Sequence, residues 1–109
     1  MDIREDRREQ GLVVAVDGRI DSNTAGELEK ALLAHAAEPR LVIDLGAVEY
    51  VSSAGLRVFL MLAKKTKAGG GKLALCALAP GVKQVFDLAG FTPLFTIEPD
   101  AAAALARLA

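Results

Sequence analysis

The sequence predicts an α/β layered domain: a single-layer mixed β-sheet of about five strands with helices packed against it. Short apolar runs rich in β-branched residues alternate along the chain with segments of helical period, in the order β-β-α-β-α-β-α-β-α. The run Leu41-Val42-Ile43 is unbroken, as a strand buried on both faces must be. With 109 residues, 52% of them apolar and 25% charged, the chain can close one core and has no disordered character. No repeat or interior linker divides it, so residues 1–109 read as a single domain.

Ile3 to Arg8 is an edge strand whose dense charge discourages pairing with other molecules, closed by a turn at Gln10-Gly11. Leu12 to Val16 is a clearer strand, paired with the first as a hairpin that makes the sheet mixed, and Asp17-Gly18-Arg19 reads as a turn or strand end. Ile20 to Thr24 is rich in capping residues and opens a helix in which Leu28, Ala31, Leu32 and His35 share one buried face. Glu38-Pro39 ends it, because the residue before proline is pushed out of helical geometry. The central strand runs from Leu41 to Leu45, and the chain turns after Gly46.

A second helix is expected from Ser53 to Ala68, with Leu56, Phe59, Leu60 and Ala63 covering the sheet. Val58, Met61 and Leu62 exceed what one stripe requires, so they either pack on another element or stay available to a partner. Lys64, Lys65 and Lys67 place positive charge at the helix C-terminus, and Gly69-Gly70-Gly71 supplies its stop. Lys72 to Ala77 is a strand. Pro80 suits the first turn of a third helix, whose apolar face is Val82, Val85, Phe86 and Ala89 and whose stop is Gly90. Leu94 to Ile97 is a short last strand, and Asp100 caps a final Ala-rich helix that docks through Leu105 and Leu108.

Composition removes whole classes of function. A net charge of −1 without a basic block gives no footing for nucleic acid. No apolar run approaches the roughly 20 residues that span a bilayer, which predicts no membrane insertion. The charged stretch from Asp2 to Glu9 is no signal peptide, and the lone Cys76 excludes an internal disulfide; both point to a cytoplasmic protein. The one histidine, His35, has no metal-ligand spacing around it, and Cys76 reads as a small buried hydrophobe. No G-x-S-x-G elbow is present. The glycines before Lys72 fail as a phosphate loop, since Thr66 and Leu73 stand where that motif needs Gly and Ser or Thr. Neither catalytic residue, metal nor cofactor is predicted, and the protein reads as a non-enzyme.

Ser52-Ser53-Ala54-Gly55 is the remaining chemistry. Its plain reading is helix capping, but one serine suffices for a cap, and Gly55 costs about 1 kcal/mol relative to Ala in a helix. A glycine there leaves the backbone open to close approach by another molecule. A phosphate added to either serine would meet the positive end of the helix dipole. The domain would tolerate that charge, whereas an acidic or apolar partner docked there would not.

These residues resemble a known family. Gly18-Arg19-Ile20-Asp21 with Thr24-Ala25, Leu41 to Leu45, Tyr50-Val51-Ser52-Ser53-Ala54-Gly55-Leu56, Gly70-Gly71-Lys72-Leu73, Pro80-Gly81-Val82 and Phe86 to Phe91 fall in the order and spacing of the STAS domain, the bacterial anti-sigma factor antagonists in particular. The resemblance implies a STAS fold and a phosphorylation-controlled partner switch. In that family the unphosphorylated antagonist binds an anti-sigma factor that is also a serine kinase of the histidine-kinase-like ATPase class. Phosphorylation of one serine breaks the complex, and a PP2C-type phosphatase restores it. The family motif, commonly Asp-Ser-Ser/Thr-Gly-Leu, puts the phosphorylated serine two places before the glycine, which is Ser53 here. Ser52 stands where the family often has Asp and is the alternative acceptor; Ala54 stands where it often has Ser or Thr. Asp21 matches an acidic loop position near the family's phosphorylation site. The docking surface implied is Asp21, Ser22, Asn23 and Thr24, then Ser52, Ser53, Ala54 and Gly55, with Arg57, Val58 and Met61 on the second helix. The same resemblance admits a STAS subunit of a lipid or solute transport assembly, or a partner switch in secretion or signalling without a sigma factor.

Overall fold

The β-branched runs do pair into one sheet. A computed structural model describes residues 1–109. Strands β1 (Asp2–Arg8), β2 (Gly11–Ile20), β3 (Arg40–Val51), β4 (Lys72–Cys76) and β5 (Thr96–Glu98) lie side by side in that order. β1 is antiparallel to β2, and every other neighbouring pair is parallel. Helices α1 (Ala25–Leu33), α2 (Ser53–Ala68), α3 (Pro80–Leu88) and α4 (Ala101–Leu108) complete the predicted order, with a 3₁₀ turn at Thr92–Leu94 ahead of β5.

Alternation along the strands sends side chains to two cores. Leu12, Val14, Leu41, Ile43 and Leu75 join the larger one with Leu28 and Leu32 of α1, Phe59 and Leu62 of α2, and Phe86 of α3. Val13, Val42, Ala74 and Cys76 point the other way and meet Ala104, Leu105 and Leu108 of α4. Helices therefore cover both faces, which is why Leu41-Val42-Ile43 has no polar member. Asp100 Oδ1 accepts from the Ala103 N–H at 2.8 Å and caps α4, while Lys72 Nζ donates to the Leu108 carbonyl at 3.3 Å.

Both strand ends read as turns prove to be continuations. β2 runs on through Asp17-Gly18-Arg19 to Ile20, and β3 runs on past Gly46 to Val51. The register between them slips at Ala15/Asp17 and again at Gly18/Arg19. Gly18 has φ +130°, a conformation that costs glycine little, and Asp44 Oδ1 accepts from the Gly46 N–H at 2.9 Å. Bulge chemistry uses turn residues, so a sequence pattern does not separate the two. β4 pairs with β3 only from Arg40 to Asp44 and β1 pairs with β2 only as far as Asp17, so Gly18–Ile20 and Val48–Val51 continue beyond both as a two-stranded ribbon.

α1 is shorter than its apolar period suggests. It ends at Leu33, where i→i+3 backbone bonds from His35 and Ala36 tighten the chain before Pro39. His35 thus lies beyond the helix, partly buried, with Nε2 3.7 Å from Glu5 Oε1. Arg7 grips Glu38 through two bonds of 2.7 and 2.8 Å and ties this loop to β1. Leu28 and Leu32 are fully buried, as expected.

α2 has the predicted bounds, but its buried stripe is rotated. Val58 and Leu62 are in the core with Leu56 and Phe59, because α1 packs beside α2 and covers them; Leu60 and Ala63 stay half-exposed. The helix closes as a Schellman motif, with the Gly71 N–H on the Thr66 carbonyl at 2.9 Å, the Gly70 N–H on the Lys67 carbonyl at 3.0 Å, and Gly70 at φ +80°. In α3, Val82 and Phe86 are buried, whereas Ala89 follows the last helical residue and is exposed. β5 begins two residues later than expected, since Leu94 belongs to the 3₁₀ turn.

Candidate functional site

The projecting ribbon sets two chain segments side by side. Ile20 pairs with Val51 at its tip, and the Ser52 N–H donates to the Ile20 carbonyl at 2.8 Å. The loop Asp21–Thr24 and the N-terminus of α2 therefore meet in space, although about thirty residues separate them in sequence.

Asp21 organises its loop. Its Oδ1 accepts from the N–H groups of Asn23 at 2.9 Å and Thr24 at 3.2 Å, and Arg19 Nε reaches Oδ2 at 3.2 Å. Thr24 Oγ1 donates to the Arg19 carbonyl at 2.7 Å and accepts from the Asp21 N–H at 3.0 Å, so it is used in the loop and makes no side-chain cap on α1. The backbone bond from Asn23 holds the Asp21 carboxyl below the usual range, helped by Thr24 and Arg19 against a smaller opposing effect of desolvation. Ser22 and Asn23 are exposed.

A depressed folded-state pKa contributes order that is complete above the unfolded value of about 4 and is lost as pH falls through the folded value. The protection factors of the Asn23 and Thr24 amides, the slowing of their exchange relative to the unstructured chain at the same pH, are therefore expected to stay constant from neutral pH down to about 4 and to fall below it. Asp21→Ala should raise exchange at both amides at neutral pH and remove this step.

The two serines differ in kind. Ser52 is extended, half-buried and the N-cap of α2, its Oγ accepting from the Gly55 N–H at 3.4 Å. Ser53 is the first helical residue and its side chain is exposed. No acidic residue occupies the first turn, so the positive end of the helix faces solvent uncompensated. Ala54, Arg57 and Met61 line a shallow hollow of about 170 Å³ shared with Ala25, Gly26 and Glu29 of α1.

Two of the expected docking residues do not serve as surface. Gly55 is buried, and a Cβ on it would stand 2.4 Å from Ile20 Cγ2 and 3.0 Å from Val51 Cγ1. The close approach that requires glycine is thus made by the ribbon of the same chain and not by another molecule. Val58 is 4% exposed and forms the floor of the hollow, covered by α1. Asp21, Ser22, Asn23, Thr24, Ser52, Ser53, Ala54, Arg57 and Met61 do come together at this end.

Sequence reasoning did not bring Arg19 and Tyr50 together beside this loop. Tyr50 is 40% exposed, and the Arg19 guanidinium lies 4.0 Å from its ring centroid. The signal is the pairing of the two residues across the ribbon, which becomes visible only with the register. Elsewhere the chain gathers no group of three or more His, Cys, Asp or Glu fit for a metal. Burial, with Asp44 and Asp100, pushes the Cys76 thiol up to about 12, so it stays protonated.

Comparison with known proteins identifies this architecture. Residues 2–104 match the profile of the STAS domain. The chain belongs to the STAS domain family. A Bordetella bronchiseptica protein described as a candidate anti-sigma factor antagonist, BtrV, is 39% identical to this STAS domain over 108 residues, 97% of this chain and 93% of the relative. The anti-sigma F factor antagonist of Paenibacillus polymyxa is 27% identical over 101 residues, covering 89% and 86% of the two chains. Among solved structures, an anti-sigma factor antagonist from Mycobacterium paratuberculosis superposes with a TM-score of 0.89 at 31% identity, covering 98% of this STAS domain and 92% of that chain. No helix of the domain is long and apolar enough to cross a membrane.

Proposed function

We propose that this STAS domain is an anti-sigma factor antagonist: a non-enzymatic cytoplasmic module, working as a single domain, that binds an anti-sigma factor when unphosphorylated and releases it when phosphorylated on Ser53. The partner is a serine kinase of the histidine-kinase-like ATPase class, and a PP2C-type phosphatase resets the switch. The observation that carries this reading is the exposed Ser53 hydroxyl at the uncompensated N-terminus of α2, beside a loop that Asp21 holds rigid. The anti-sigma factor antagonists among its relatives support the same reading.

The chemistry is simple. The kinase transfers the γ-phosphoryl group of ATP to Ser53 Oγ, whose proton leaves. The new phosphate adds close to two negative charges at the centre of the docking face. It strains nothing inside the domain, because the helix dipole and solvent receive it. A partner surface seated over Ser53, Arg57 and Met61 must desolvate it, and the complex separates. Ser52 is the poorer acceptor, because it is half-buried with its oxygen turned toward the Gly55 N–H, whereas Ser53 is exposed.

Incubation with ATP and the cognate kinase should add one phosphate to the wild type and none to Ser53→Ala, read by intact mass. Phosphate on both proteins would move the site to Ser52. With a kinase shown to be active, phosphate on neither would overturn the switch.

A further inference from the structure

A second, larger groove lies at the opposite end of α2 from Ser53. It is bounded by the C-terminal half of α2, the start of β4 and the 3₁₀ turn before β5, and has a volume of about 460 Å³. The groove follows from the topology. α1, α2 and α3 share one face of the sheet, but no helix follows β5 on that face, since α4 crosses to the other side. The strip of sheet beside α2 is thus left with only the short turn Thr92–Leu94 as a wall.

Its lining has a definite chemistry. Leu60, Leu73 and Phe95 are half-buried and form an apolar trough, with Phe95 fixed edge-on against Phe86 at 5.7 Å. Leu94 is 56% exposed at the rim and extends the apolar lining outward. The only charged residues of the lining are Lys64 and Lys67, and neither takes part in an ion pair. Nor are they needed at the helix end, because the Gly70 and Gly71 amides already satisfy the Lys67 and Thr66 carbonyls. The lining contains no acidic residue.

From this pairing of an apolar trough with two free ammonium groups we infer that the groove binds a small amphipathic anion, a medium-chain fatty carboxylate, with its chain along Leu60, Leu73 and Leu94 and its head on Lys64 and Lys67. The volume falls in the range of small-ligand sites, roughly 300–1,000 Å³. Charge selects the head: a cationic or neutral amphiphile of the same chain length gains the trough but not the lysines. The site is independent of the Ser53 switch.

The test is titration of the isotopically labelled protein with decanoate below its micelle concentration, followed by amide chemical shifts. Saturable shifts are expected at residues 60–67, 71–73 and 93–96, with little change at residues 21–24 and 52–55. The exposed double variant Lys64→Glu/Lys67→Glu should weaken decanoate binding roughly tenfold or more while its melting temperature stays near wild type. Decyltrimethylammonium serves as the opposite-charge control and should bind the wild type more weakly than decanoate. Absence of saturable shifts, shifts scattered over the surface, or equal binding of the two amphiphiles would overturn the inference. So would groove shifts that depend on protein concentration alone, which would assign the trough to a second copy of the chain.

Discussion

Gly55→Val is expected to destabilise the domain by about 2–3 kcal/mol, a drop of roughly 10 °C or more in melting temperature. The glycine sits where α2 crosses the tip of the β2–β3 ribbon, and even a single Cβ would lie 2.4 Å from Ile20 Cγ2. Ile20 is fully buried, and its β-branched side chain has little rotamer freedom, so the clash is relieved only by moving backbone. Valine adds two methyl groups to that Cβ. Helix propensity works the other way but is worth less than about 1 kcal/mol here. Moving α2 off the ribbon also displaces Ser52 and Ser53 from the Asp21 loop, so partner binding should fall along with stability. Urea unfolding with an unchanged midpoint would show instead that the ribbon tip yields to the new side chain.

That glycine illustrates what was legible in the sequence and what was not. Local chemistry was readable: the capping character of Ser52, the start of α2 at Ser53, its glycine stop, Pro80 at the head of α3 and the Asp100 cap are each decided within one helical turn, and the structure has all of them. Features set by distant partners were not. Gly55 reads as an opening for another molecule until Ile20 is seen against it, thirty-five positions earlier in the chain. Val58 and Leu62 look like spare apolar surface until α1 is laid beside α2.

The ribbon shows the same limit in backbone form. Asp17-Gly18 and Gly46-Ala47 carry the residue types of turns, and only the partner strand reveals them as bulges within continuous pairing. Their consequence reaches the candidate site, since the extra ribbon length brings the Asp21 loop to the head of α2. Arg19 over Tyr50 belongs to the same class of hidden feature, a cross-strand pair that exists only in one register. Where the family motif departs, at Ser52, the structure supplies a reason for tolerance. A serine there caps the helix as an aspartate would, so the geometry of Ser53 survives the exchange.

Ser53→Asp is expected to weaken binding of the anti-sigma factor kinase by about 100-fold while leaving thermal stability nearly unchanged. The stability half follows from position. Ser53 is exposed, makes no side-chain hydrogen bond, and occupies the first helical residue of α2, where the dipole favours a carboxylate. The binding half follows from desolvation. A carboxylate at the centre of a docked face must lose its water, and without a matched partner group that penalty amounts to about 2–5 kcal/mol. A loss of about 2.7 kcal/mol corresponds to the 100-fold figure. Calorimetric titration with the partner, beside thermal unfolding of the free domain, separates the two halves. Full-strength binding by the variant would place Ser53 outside the interface, whereas parallel loss of binding and stability would make the residue a structural one. Ser53→Ala belongs in the same experiment, because it removes the hydroxyl without adding charge. Its binding should stay within a few-fold of wild type, since an exposed hydroxyl with no hydrogen bond in the free domain contributes only about 1 kcal/mol at such a contact. The contrast between alanine and aspartate at one position then isolates charge as the agent of release.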